Sequence, residues 1–149
     1  MLKKHPLLRK NYCFGCGRDN PQGMRLKFTH EEGNRFVAHF RLSRRFTGPP
    51  GHAHGGVIAA ILDEAMSKAS KPLGIMAPTS ELVVRYLRPV PLGQQLTAIG
   101  WEARKRGREH FRLAEIRSEA GEVLSSATGK FLEIHAEGMV AKFLRRRTR

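Results

Sequence analysis

The chain has 149 residues, enough for one domain whose core needs no disulfide staples. Its 27 Lys and Arg against 13 Asp and Glu give a net charge of +14, which favours polyanions: nucleic acid, anionic lipid or a phosphate-bearing small molecule. With 40% hydrophobic and 27% charged residues global disorder is excluded, and no apolar run nears the ~18 residues that a membrane span needs.

The amino-terminal MLKKHPLLRKNY is basic but lacks the apolar segment of a secretory signal, so a cytoplasmic protein is expected. Residues 1–23 read as irregular, with the turn-forming run CGRDNPQG. The chain has two cysteines, Cys13 and Cys16, too few for a disulfide framework. Their Cys-x-x-Cys spacing matches half of a zinc site, but His5 and His30 offer no second half, and His52 and His54 have no carboxylate at ligand spacing. The expectation is a reduced, structural pair, with no metal and no cofactor.

MRLKFTH and NRFVAHFRL follow, joined by Glu31-Glu32-Gly33. Apolar residues nearly alternate at Met24, Leu26 and Phe28, then at Phe36, Ala38, Phe40 and Leu42, which predicts a β-hairpin. Phe46-Thr-Gly-Pro-Pro-Gly51 reads as a tight loop. From Val57 to about Lys71, apolar residues at Ile58, Ile61, Leu62, Ala65, Met66 and Ala69 make one helical stripe, ended by Pro72. TSELVVRYLRP, QLTAIGWEARKR, REHFRLAEIRS and EVLSSATGKFLEI then read as four strands with hairpin-length connections. AEGMVAKFLRRR suggests a last short helix, leading into the basic cluster KFLRRRTR. The order is an α+β arrangement, one long helix against a six-stranded antiparallel sheet that can curve around it. The expected division is an irregular segment over 1–23, the folded domain over 24–135 and a basic tail or short helix over 136–149.

Two adjacent carboxylates flank the stripe. Glu64 has Lys68 one turn later, an i,i+4 pair that reads as a surface ion pair. Asp63 has Ala59 before it and Ser67 after it, so no cation meets it locally. An acid beside an apolar stripe without a partner is a candidate for a raised pKa and a functional role. At the helix start, Gly55 and Gly56 leave backbone N–H groups uncrowded, able to hold an anion or polarise a carbonyl. Asp63 lies ~12 Å further along the same axis, too far for both to act on one small bond. If they share a site, the second group comes from another copy of the chain.

GPPGHAHGGVIAAILDEAM, with an acid nine residues after the histidine of His-Gly-Gly, resembles the signature of hotdog-fold thioesterases in their PaaI-like branch. The resemblance extends to CFGCGRDNPQG upstream and TSELVVRYLRPVPLGQQL downstream. It implies hydrolysis of acyl-CoA thioesters by a homodimer, or by a tetramer made of two such dimers. It places the family's acid on Asp63, as general base or nucleophile, and its histidine and glycine on His54 and Gly55, with the Gly55 N–H as oxyanion donor. It places a hydroxyl carried by the partner subunit on Thr79, with Ser80 as second candidate; Gly56 joins Ser80 as a substrate-binding candidate. It also implies antiparallel helices that bring Asp63 of one copy near Gly55 of the other. Several members carry Asn or Gln about six residues before the histidine, where this chain has Gly48.

Arg88 and Arg104 are candidates to meet the phosphates of CoA, although most charged strand residues form a solvent face. The alternative on the same fold is a non-catalytic acyl-CoA-binding or regulatory protein. Nucleic-acid binding is suggested by charge alone, with no helix-turn-helix, aromatic RNA-binding motif or zinc module to carry it.

Overall fold

The computed structural model of the chain describes residues 10–135. The hairpin is β1 (Thr29–Glu31) and β2 (Arg35–Phe40), followed by a helix, α1 (Gly55–Ser67), and a 3₁₀ turn at Lys68–Ser70. Then come β3 (Thr79–Tyr86), β4 (Leu96–Arg106), β5 (Glu109–Ser118) and β6 (Val123–Leu132). They form one sheet in the order β1-β2-β4-β5-β6-β3, with every neighbouring pair antiparallel. Between β2, next to one edge, and β3, at the other, the chain crosses the sheet by way of α1.

The register explains how the sheet receives the helix. One row across it reads Phe36, Gly100, Ala114, Ala127 and Val84, from β2 to β3. Small residues in the middle and larger ones at the sides make a trough. A Cβ added at Gly100 would lie 2.2 Å from the Ala65 carbonyl oxygen, so α1 rests directly on β4 there. The helix turns Ile58, Ile61, Leu62, Ala65 and Met66 into this trough, all buried, as the stripe predicts. Leu96, Ala98, Ile116, Leu124 and Phe131 complete the core from the strands, with Leu26, Leu42 and Val90 from loops.

Two expectations need correction. The helix starts at Gly55, two residues before Val57, because His54 caps it; its α-geometry ends at Ser67. The first strand is only three residues long and excludes Met24–Phe28. Arg25 has φ 53°, the Met24 N–H donates to the Phe14 carbonyl at 2.7 Å and the Leu26 N–H to the Gly15 carbonyl at 2.9 Å. That segment is therefore tied to the cysteine loop, while Leu26 still reaches the core. Two basic strand residues leave the solvent face that most charged strand residues were expected to form. Arg112 and His110 are buried; Arg112 Nη1 donates to the Met66 carbonyl at 3.2 Å and to Ser70 Oγ at 2.8 Å, satisfying the end of α1. Glu102 accepts from Arg112 Nε at 3.2 Å and meets His110 Nδ1 at 2.8 Å. The predicted carboxyl-terminal helix and basic cluster lie outside the described residues.

Candidate active site at the helix

Asp63 is half-buried on the flank of α1 that faces the start of β3. Thr79 Oγ1 lies 2.5 Å from Asp63 Oδ1, the one side-chain hydrogen bond to this acid among the described residues. Burial is the main reason its pKa lies above the usual carboxylate value; the Thr79 bond opposes the rise and the Glu64 charge adds to it.

The Thr79 contact forms within one chain, whereas the family resemblance implied a hydroxyl from a partner subunit. A β-bulge is the reason. Strict alternation along β3 would put Ser80, Leu82, Val84 and Tyr86 on the helix side. The register, however, shifts between Thr79 and Glu81, so that Thr79 stands opposite Phe131 and Glu81 opposite Lys130. The extra residue turns Thr79 inward, toward α1. Ser80 instead donates its hydroxyl to the Lys130 carbonyl at 3.1 Å.

At the other end of the helix, His54 is the N-cap, with Nδ1 accepting from the Gly56 N–H at 3.0 Å. A neutral His54 therefore carries its proton on Nε2. This bond occupies the Gly56 N–H. The Gly55 N–H meets no acceptor among the described residues and points out of the first turn, at the positive end of the helix. A residue that sequence reasoning passed over as a site group holds Gly55 through its carbonyl, in the next peptide along. Tyr86 Oη donates to the Gly55 carbonyl at 2.9 Å. Its position on the inward face of β3 was legible, but not the reach of its hydroxyl.

Gly48 lies in a loop that folds back on the cap. Its N–H donates to the His52 carbonyl at 2.9 Å, and a Cβ there would lie 2.6 Å from His54 Cα. This backbone leaves no room for the Asn or Gln of other family members. Arg88 pairs with Glu122, and the guanidinium of Arg104 stacks on Phe111 at 4.2 Å; neither bonds to the groups at Asp63 or Gly55.

Glu64 is not the surface partner expected. It is 9% exposed and its Lys68 partner is half-buried. Cys13 Sγ lies 3.5 Å from Glu64 Oε2, and Lys68 Nζ lies 2.8 Å from Cys16 Sγ. Burial pushes the Glu64 carboxyl up, but its contacts with Cys16, Lys68 and Cys13 outweigh that and hold it below its usual value. Lys68 is correspondingly raised despite its own burial. Burial and Glu64 push the Cys16 thiol up.

The family model described as Thioesterase superfamily matches residues 50–125. Acyl-coenzyme A thioesterase THEM4 of Xenopus laevis is 32% identical over 110 residues, 72% of this chain and 49% of its own length. That of Bos taurus is 30% identical over 111 residues, 74% and 46% respectively. The chain thus spans about half the length of the curated relatives it matches. A crystal structure of a thioesterase superfamily protein shares the fold with a TM-score of 0.78 at 30% identity, covering 82% of this chain and 60% of that one. The E. coli PaaI protein from the phenylacetic acid degradation operon does so with 0.69 at 20%, covering 75% and 81%. The matched span holds the capped helix start, Asp63 and Thr79, and the sheet wraps α1 as in these structures: the chain belongs to the thioesterase superfamily and has the hotdog fold.

Proposed function

We propose that the protein hydrolyses acyl-CoA thioesters, in a site assembled from two copies of the chain. One copy supplies Asp63 and Thr79, the other the Gly55 N–H. The observation that carries this reading is Asp63 itself, an acid half removed from water, raised in pKa and bonded to one hydroxyl. Thr79 holds Oδ1, which leaves Oδ2 to take a proton from water. The water oxygen attacks the thioester carbonyl, and the negative charge that gathers on the carbonyl oxygen falls against the Gly55 N–H and the helix dipole. The C–S bond breaks, CoA leaves as the thiolate, and the proton held by Asp63 passes to the departing sulfur.

Two copies are needed because Gly55 and Asp63 are ~12 Å apart along one helix. β3 offers a seam: it lies at the sheet edge, eight residues long, with hydrogen-bonding groups unpaired on one side. The relatives named as acyl-coenzyme A thioesterases support the substrate class, as does a Bacillus halodurans protein of the same fold crystallised with CoA. The test is thiol release over short, long and aromatic CoA esters. Asp63→Asn is expected to lower turnover about 10²–10⁴-fold, the usual worth of a general base, while the assembly keeps its mass by light scattering. Wild-type rates in that variant would exclude Asp63 as the base. A second reading, CoA-ester binding without turnover, is favoured by the closed loop at Gly48; protein that binds the esters but never frees thiol would establish it.

A further inference from the structure

Hydrolysis leaves Glu64 without a role, yet the chain builds a cluster around it. The sulfur atoms of Cys13 and Cys16 and a Glu64 carboxylate oxygen all lie within 4.8 Å of one another, and both cysteines are free. Cys13 Sγ and Glu64 Oε2 are 3.5 Å apart, and donors held about 2.0–2.3 Å from a tetrahedral zinc ion sit roughly that far from each other. We propose that Cys13, Cys16 and Glu64 form a binding site for a thiophilic divalent metal ion of the zinc class.

The donors are of the borderline-soft kind that selects zinc over magnesium or calcium. Charge also balances: two thiolates and a carboxylate bring three negative charges, the ion returns two, and the Lys68 ammonium returns the third. Lys68 is placed for this, paired with Glu64 Oε1 and 2.8 Å from Cys16 Sγ, away from the oxygen that faces Cys13. Asn11 steadies the loop, its Oδ1 accepting from the Cys13 N–H at 3.0 Å. Such outer contacts orient metal ligands. At Gly15, between the cysteines, an added Cβ would lie 2.4 Å from Glu64 Oε2, so the loop has room for the carboxylate only with glycine there. Cys13 is exposed, and a cleft lined by Leu26, Phe28, Cys16 and Lys68 opens beside the cluster, which gives the ion a path and leaves a fourth position for water. The bound ion fastens the loop to α1 one residue after Asp63.

The full chain, kept in a non-thiol reductant and stripped by chelator, is titrated with cobalt(II) and then zinc(II). One ion per chain is expected, with the intense thiolate-to-cobalt charge-transfer band, displacement by zinc and a higher unfolding midpoint with zinc bound. Cys13→Ala changes an exposed side chain outside the buried core. It is expected to weaken zinc by more than the roughly 100-fold that an outer-sphere change costs, and Glu64→Gln by at least about 10-fold with the thiolate band retained. A reduced wild-type chain without that band, or zinc affinity unchanged in either variant, overturns the site.

Discussion

Asp63 sits between opposing influences: burial and the neighbouring Glu64 carboxylate raise its pKa, and the Thr79 hydroxyl holds it down. Replacing Thr79 by the isosteric valine removes the restraining bond, so the carboxyl keeps its proton to a higher pH. The acid limb of the kcat/KM profile is then expected to move upward in pH, with a lower plateau; a limb that stays where it was would mean that Asp63 is not the titrating base. Of the two acids, sequence reasoning singled out Asp63, because the lack of a cation one turn away from it is a local property. It misread Glu64, because Cys13, which meets that side chain, lies 51 positions away in sequence, and turn-forming residues do not say where a loop lands. Thr79 was named as a site residue on resemblance, but which chain it serves depended on the bulge, which alternation does not show.

For the elements, the trough decides the packing. α1 lies against Gly100 with no space for a side chain between them, so Gly100→Ala pushes helix from strand. Overpacking of this kind costs about 1–3 kcal/mol, to be read as a lower denaturation midpoint with an unchanged slope. A variant as stable as wild type would show that the helix can lift without penalty. The helix, the second strand of the hairpin and the four later strands were legible, because each carries its own period: offsets of three and four in α1, alternation in β4 to β6. Met24–Phe28 alternates too, yet it pairs with no strand among the described residues. Its apolar residues serve the core from an irregular path set by Arg25 and the cysteine loop, and period alone does not separate that from a strand. Arg112 was likewise hidden, since a charge on a strand shows nothing of the helix end above it.

For the whole molecule, the proposal that two copies share a site makes a prediction that one chain does not. Gly55→Pro removes the amide hydrogen at the first helical position, where proline is well tolerated, and the extended backbone of His54, ψ 138°, suits a following proline. That variant is expected to fold and to lose activity, as Asp63→Asn does. When the two inactive proteins are unfolded together and reassembled, half of the dimers are mixed and each mixed dimer regains one intact site, so about a quarter of wild-type activity should return. A mixture that stays inactive would place both groups in one chain.

One strand grips both ends of the working helix, Thr79 at the acid and Tyr86 at the first peptide. The proposed base and the residue that carries the proposed oxyanion amide therefore take one strand as their common reference. In the proposed dimer, a twin that docks along that outer strand acts on Asp63 and Gly55 at once; assembly and alignment become a single mechanical event.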